Sequence, residues 1–417
     1  MDELDAWIRH GNELRRPLIV HPSLGEQKKI CIVGGGLSGL TTAYRIAEKN
    51  PNVSIELIER SSRLGGVIET WRQDDWVCDV AVNATRPHPA VWRLVRDLGL
   101  SDVFQPSKRQ ADSRWIQTRK RKHRLSRWTL LKMNPIKLFM GIRKARKGGS
   151  SVEGILPNKT IADAMTLGIV NDVSNAVDAD FLMPAFTKFG DEPPISARKL
   201  REKIAKTYPL FRPEPNSTAS FHGGMSALVD GLVNSISAMS NVSIHLNHHA
   251  ADVEEVCEAF GIDASAIIWS AGSPTMTKSK LSIFVAGYAS KAIQNVPIGY
   301  GTLVPDASIP ISGILHESDV HASSRAPDGH RLFRIMVPHA RWDGNEDSVR
   351  RALEALLTDT EPALFTCIGE RSIPKYEPGH LRGVARKSIK YTEIGWGVSG
   401  VSVTHIIDQA ERISECF

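Results

Sequence analysis

Three glycines and one acid have types and spacing that can do chemistry here. Gly34, Gly36 and Gly39 form Gly-x-Gly-x-x-Gly directly after the apolar run Ile30-Cys31-Ile32-Val33, with Leu37 and Ser38 inside the motif. In this pattern the first glycine permits a tight turn and the second lets backbone approach a pyrophosphate. The third allows close helix-strand packing, and the first helical N–H groups face the phosphates. Val53 to Ile58 reads as a second strand that delivers Glu59 and, beside it, Arg60. An acid at that distance accepts hydrogen bonds from ribose hydroxyls. Together these residues specify a dinucleotide site.

Arg63-Leu64-Gly65-Gly66 follows at once. A second glycine pair behind the ribose acid is carried by FAD-dependent two-domain oxidoreductases, whereas a plain nicotinamide dehydrogenase goes on to another βα unit. FAD is therefore the expected cofactor. Its site needs strands that return late in the sequence: Val242 to Leu246 and Ala266 to Ser270 have that character, the latter ending at Ala271-Gly272. Gly395-Trp396-Gly397-Val398-Ser399-Gly400-Val401-Ser402-Val403 precedes an amphipathic C-terminal helix, where glycines again allow close backbone approach to a cofactor. Trp396, Val401 and Val403 are expected at the cofactor, Val401 near the flavin ring, with Val253 near the adenine.

Composition bounds the class. A chain of 417 residues with 41% hydrophobic content can bury a sizeable core in two or three domains. No stretch approaches the ~20 apolar residues of a membrane span, and Asp2, Glu3 and Asp5 give no basic leader. Cys31, Cys78, Cys257, Cys367 and Cys416 are scattered without a Cys-x-x-Cys pair. They suggest neither a disulfide framework nor a zinc site, and a reducing, cytoplasmic location is expected. The net charge of +6 is compatible with an anionic partner without choosing one.

The expected organisation is an N-terminal extension (1–28), a first FAD-binding part (29–100) and a helical, basic membrane-associating and substrate region (101–215). A second FAD-binding part (216–275), a β-rich substrate domain (276–385) and a C-terminal FAD-binding part (386–417) follow. This is an α/β and α+β chain with a discontinuous Rossmann-like FAD domain, a β-sheet substrate domain and a helical, membrane-associating domain. Within the first part, Asp74 to Val82 has strand character and Pro89 to Leu98 helical periodicity. Thr160 to Ala176 predicts a helix, Ala227 to Met239 another, and Asp191-Glu192-Pro193-Pro194 a turn. Phe284 to Gly313 and Arg331 to Pro338 read as β-rich, and Ser348 to Leu357 as a helix.

Between Asp112 and Glu153 there is no acidic residue. Arg119-Lys120-Arg121-Lys122 and Arg143-Lys144-Ala145-Arg146-Lys147 bracket Trp128, Leu130, Leu131, Met133, Ile136, Leu138 and Phe139. Such a segment can lie peripherally on an anionic bilayer or form a solvated basic hairpin. No recognition motif accompanies the charge, so nucleic acid is not an expected partner.

From Ile30 nearly to the C-terminus the chain resembles the protoporphyrinogen oxidase family, a branch of the FAD-dependent amine-oxidase-like flavoproteins. His222-Gly223-Gly224-Met225 is similar to that family's Gly-Gly-Met helix start. Gly299-Tyr300-Gly301-Thr302-Leu303-Val304-Pro305 is similar to its segment beside the tetrapyrrole. Ile373-Pro374-Lys375-Tyr376-Glu377-Pro378-Gly379-His380 resembles its Pro-x-Tyr-x-x-Gly-His segment, and Gly400-Val401-Ser402-Val403 its closing motif. Two elements depart: Asp79-Val80-Ala81-Val82-Asn83 stands in place of an acidic-Gly-Pro, and Val403-Thr404-His405 in place of an Asn-Asp pair. The middle domain is also shorter than usual.

The resemblance implies dehydrogenation of protoporphyrinogen IX or coproporphyrinogen III in heme biosynthesis, with FAD as hydride acceptor and molecular oxygen as terminal acceptor. The cofactor carries the difficult chemistry, so no catalytic side chain is expected. Arg86 is the candidate for a substrate propionate, while Tyr300, Gly301 and Leu303 would lie against the tetrapyrrole. His222 and His380, next to glycines, read as backbone partners rather than acid-base groups. The departures keep open an amine or specialised-metabolite oxidase of the same fold, and a flavin-binding scaffold at a membrane. A homodimer is also compatible with the sequence.

Overall fold

The computed structural model describes residues 17–86, 88–118, 122–125, 134–183, 187, 218–273 and 276–417. The turn expected at Asp191-Glu192-Pro193-Pro194, most of the Arg119 to Lys122 run, and Trp128, Leu130, Leu131 and Met133 lie outside them.

Ile30 to Val33 are buried on both faces, as befits a central parallel strand covered by helices. The strand Lys29–Val33 lies between Ser54–Ile58 and Ile267–Trp269, with Val242–His245 and Thr392–Glu393 on the outer edges, all parallel. Segments more than 300 residues apart thus share one five-stranded sheet, which makes the nucleotide-binding unit discontinuous. The helix Leu37–Lys49 begins directly at Gly36 and packs against the C-terminal helix Val403–Ser414 and the helix Ser226–Ser237. Its first-turn N–H groups have no side-chain cap. The helix Pro89–Asp97 carries proline at its first position, and His88 Nδ1 accepts from the Ala90 N–H.

A second sheet of seven strands runs in the order Leu364–Pro374, Lys278–Ala289, His330–Pro338, Gly313–Leu315, Gly301–Leu303, Arg114–Gln117 and Lys122–Arg124. It is antiparallel except where Gly301–Leu303 meets Arg114–Gln117. Residues 101–215 are accordingly not wholly helical: two of their strands extend this sheet, and Phe104–Pro106 pairs with Ala219–Phe221. The helix expected from Thr160 to Ala176 is Lys159–Val170. Asn171 ends it by adopting the left-handed conformation, φ 54°, which asparagine tolerates better than most residues.

A fully buried ion system joins the sheets. Asp79 accepts from Thr70 Oγ1 (2.6 Å) and the Met225 N–H (2.8 Å) and pairs with Arg325 (3.3 Å). Arg334 donates to the Asp79 and Ala81 carbonyls and pairs with Glu317 (3.2 Å), which also meets His321 Nε2 (2.8 Å). Asp79 lies at the departure from acidic-Gly-Pro, and its carboxylate is a buried structural hub.

Candidate functional site

Backbone, rather than side chains, shapes the nucleotide cradle. Gly34 has φ 105°, and a Cβ there would lie 2.8 Å from Ser270 Oγ. A Cβ on Gly39 would run into the Gly34 carbonyl oxygen, so only glycine lets the helix approach its strand this closely. Gly36 bridges to Gly65, whose N–H donates to the Gly35 carbonyl at 2.7 Å. The two glycine motifs therefore form one continuous wall.

Glu59 is braced within that wall. Its Oε2 accepts from the Gly35 N–H (2.7 Å), and its Oε1 from the Ser61 N–H (2.9 Å) and hydroxyl (2.8 Å). Each carboxylate oxygen retains acceptor capacity for a ribose hydroxyl.

A cavity of about 470 Å³ starts at this cradle. Gly34, Gly36, Leu37, Ser38, Glu59, Arg60, Gly65 and Gly66 line it, as do the sequence-predicted Ala271, Trp396, Val401 and Val403. At one end stand His248 and His249; at the other, Met276, just before the second sheet, and Lys278 and Arg371 from it. Sequence reasoning missed these five. The two histidines follow a returning strand, and the two cations sit on strands brought to the cavity only by long-range sheet pairing.

Pro-x-Tyr-x-x-Gly-His acts as a clamp on the cavity's closing loop. Tyr376 donates from its hydroxyl to the Trp396 carbonyl (2.9 Å), and His380 Nε2 meets the Gly397 carbonyl (3.0 Å). Gln409 Oε1 accepts from the Gly395 N–H (2.9 Å). Residues from two segments thus fix the loop Gly395 to Gly397. His380 serves backbone, as expected, and His222 is exposed.

Other predicted residues stand elsewhere. Arg63 does not line the cavity but brackets the glycine pair, donating to the Gly66 carbonyl (2.7 Å) and pairing with Glu69 (3.1 Å). Val253 starts a helix and packs into a cluster with Cys31, Val33 and Ile58, because Ala250 and Ala251 take the cavity-facing positions. Arg86 is exposed and away from the lining.

Tyr300, Gly301 and Leu303 also lie off the lining. Gly301 is required by its partner strand, since a Cβ would meet the Ile314 carbonyl. Leu303 rests against Gly168, and Tyr300 packs on Leu315 and Val320, with the Arg114 guanidinium 4.5 Å from its ring centroid. The Tyr300 hydroxyl accepts from Asn83 Nδ2 at 3.3 Å, one residue from the cavity-lining Val82.

The observed cradle fits FAD: backbone N–H groups and glycine surfaces face one end of an open cavity, an acceptor carboxylate stands beside them, and the cavity continues past apolar Ile68 and Val82 to the second sheet. Gly34, Gly36, Leu37, Ser38, Glu59, Gly65 and Gly66 would hold its dinucleotide part, and Trp396, Val401 and Val403 would border the flavin.

Comparison with known proteins agrees with this geometry. Residues 32–98 match the NAD(P)-binding Rossmann-like domain model. A coproporphyrinogen III oxidase of Staphylococcus aureus is 20% identical over 452 aligned positions, covering 90% of this chain and 94% of that protein. The crystal structure of an Exiguobacterium protein provisionally named a protoporphyrinogen oxidase superposes with a TM-score of 0.62 at 14% identity, over 93% of this chain and 98% of that one. Cyclohexylamine oxidase from Brevibacterium oxydans gives the same TM-score at 11% identity and the same coverage. At such identities the two solved structures establish the fold, and the sequence likeness runs through both of its sheets. The chain is an FAD-dependent oxidoreductase with the fold of these amine-oxidase-like flavoproteins, similar over most of its length to coproporphyrinogen III oxidases.

Proposed function

We propose that this chain dehydrogenates a porphyrinogen, protoporphyrinogen IX or coproporphyrinogen III, with oxygen as terminal acceptor. The observation that carries the reading is the cavity's far end, where apolar Ile68, Val82 and Met276 adjoin the cations Lys278 and Arg371. With Glu370 also in the wall, two cations stand to one acid, and that surface suits a flat apolar ring bearing acidic substituents better than a protonated amine. When bound, FAD supplies acceptance of a hydride equivalent from a ring-bridging carbon, and three such oxidations complete the porphyrin.

The protein's part is placement. Tyr376, His380 and Gln409 hold the Gly395 to Gly397 loop rigid, so the wall against which the ring must lie does not move. Ile68, Val82 and Met276 exclude water, and the cations hold the acids in one orientation. Arg86, Tyr300 and Leu303 could act only where a macrocycle extends beyond the cavity toward Asn83.

The reading includes a membrane surface. Ile136, Phe139 and Met140 are 70%, 69% and 56% exposed on the helix Pro135–Ala145, among exposed Lys137, Arg143 and Lys144. Apolar side chains with flanking cations suit the anionic interface of a bilayer, where a poorly soluble porphyrinogen collects.

Mixing the FAD-loaded protein without oxygen with each reduced porphyrinogen tests the reaction. Rapid flavin bleaching, reversed by air as porphyrin fluorescence appears, is the expected result. A flavin that neither compound bleaches, or that only amines bleach, overturns it.

A further inference from the structure

Side chains alternate along the strand Leu364–Pro374, so Gly369, Arg371 and Ile373 share one face. They stand opposite Ile283, Leu281 and Ser279 of the neighbouring strand. Ile283, Leu281 and Ile373 are all buried in one apolar cluster. Arg371 therefore occupies a position where this face otherwise places aliphatic groups, and it does so on the cavity wall.

Glu370, the neighbouring carboxylate in the same wall, meets His339 at 3.8 Å and forms no ion pair with Arg371. The Arg371 Nε is sealed from solvent without an acceptor, and among the described residues no carboxylate pairs with the guanidinium. The charged group acting on it is another cation, Arg334, whose own partners are Glu317 and the Asp79 and Ala81 carbonyls. Burial and Arg334 lower the guanidinium to about 9, which leaves it cationic at neutral pH. A partly buried cation whose Nε has no acceptor is costly to keep on this face. The missing partner is an anion that enters from the cavity.

We infer that Arg371 is a carboxylate receptor: its guanidinium grips an acidic substituent of the substrate at the sheet end of the cavity. The inference rests on the reading of the cavity as a porphyrinogen site. A planar fork binds a carboxylate bidentately, so this contact fixes ring orientation as well as affinity. Lys278, a point charge in the same wall, lacks that geometry.

The test uses the FAD-loaded protein and two stable probes, coproporphyrin III and its tetramethyl ester, which differ only in charge. Arg371→Gln is expected to weaken the acid about ten- to a hundredfold, leaving ester binding, flavin content and flavin reduction potential unchanged. Arg371→Lys, which keeps the charge without the fork, should recover part of the loss. An equal loss for acid and ester overturns the inference, because it reports a collapsed wall. Unchanged acid binding with a lowered flavin potential overturns it too, by assigning the cation to the reduced flavin. Should the wild-type protein bind neither probe, the porphyrinogen reading fails, and Arg371 is judged by benzoate perturbation of the flavin spectrum. Loss of that perturbation in Arg371→Gln supports a carboxylate receptor. Its persistence, or its absence from the wild type, overturns one.

Discussion

At Gly36 the cavity wall is bare backbone, and the residue's neighbours separate a ligand role from a folding role. A Cβ there would lie 3.8 Å from Gly66 Cα, an ordinary contact, so a methyl is tolerated while branches beyond it enter the cavity. Gly36→Val should thus purify folded but colourless, checked by far-ultraviolet circular dichroism together with flavin absorbance. Gly39→Val should instead fail to fold, since its Cβ meets the Gly34 carbonyl. A yellow Gly36→Val protein would displace FAD from this cradle. The cradle was legible in the sequence because its parts lie within a single strand-turn-helix run and its next strand. Arg371 was not, because its strand reaches the cavity only through long-range sheet pairing, which local sequence does not show. Tyr300, Gly301 and Leu303 show the converse: a glycine-aromatic pattern does not say whether the space it leaves is for a ligand or, as at Gly301, for a neighbouring carbonyl.

Between sheets and helices, buried charge sets the pH response. Glu317 is fully buried, and despite a burial penalty Arg334, His321 and Arg325 hold its carboxyl down at about 2. A carboxylate whose folded pKa is depressed contributes stability that is complete above the unfolded value near 4.5 and is lost as pH falls through 2. Glu317→Gln should cost about 3–5 kcal/mol at pH 7, because it strands Arg334 and His321. The gap to wild type in urea unfolding should shrink toward pH 2, and a constant gap would remove the ionic explanation. Asp408, on the inner face of the helix Val403–Ser414, behaves oppositely: burial raises it to about 7, opposed by Arg412. Its folded pKa lies above the unfolded 3.8, so the native state resists ionisation and stability falls as pH rises between these values. Asp408→Asn should stabilise by up to about 4 kcal/mol at pH 8 and by nothing near pH 3, read from thermal midpoints at both pH values. The same midpoint difference at both would show that its charge is irrelevant.

For the molecule as a whole, the orientation of the helix Pro135–Ala145 fixes what this enzyme shows its surroundings. Gly141 and Ala145, one turn apart, are buried, and a Cβ on Gly141 would collide with the Ile155 carbonyl. Small residues therefore pin one face against the body, which forces Ile136, Phe139 and Met140 outward; the exposure follows from packing rather than from a free rotation of the helix. Sequence alone marked this region through its lack of acids, but could not tell which apolar side chains would be left exposed, because that depends on which side the small residues claim. Burying an aromatic or Met side chain is worth about 1.5–3 kcal/mol, and each nearby lysine or arginine adds about 1 kcal/mol at an anionic surface. Phe139→Ser combined with Met140→Ser should lower partitioning onto phosphatidylglycerol vesicles at least about tenfold while flavin content stays intact. Salt should weaken wild-type binding as well, since the cations are exposed and screened. Both effects are read by co-sedimentation with vesicles of graded anionic content. Equal sedimentation of variant and wild type would leave the exposed face without a bilayer role, yet would not touch the cradle or the carboxylate receptor, which lie in the sheets that this helix only borders.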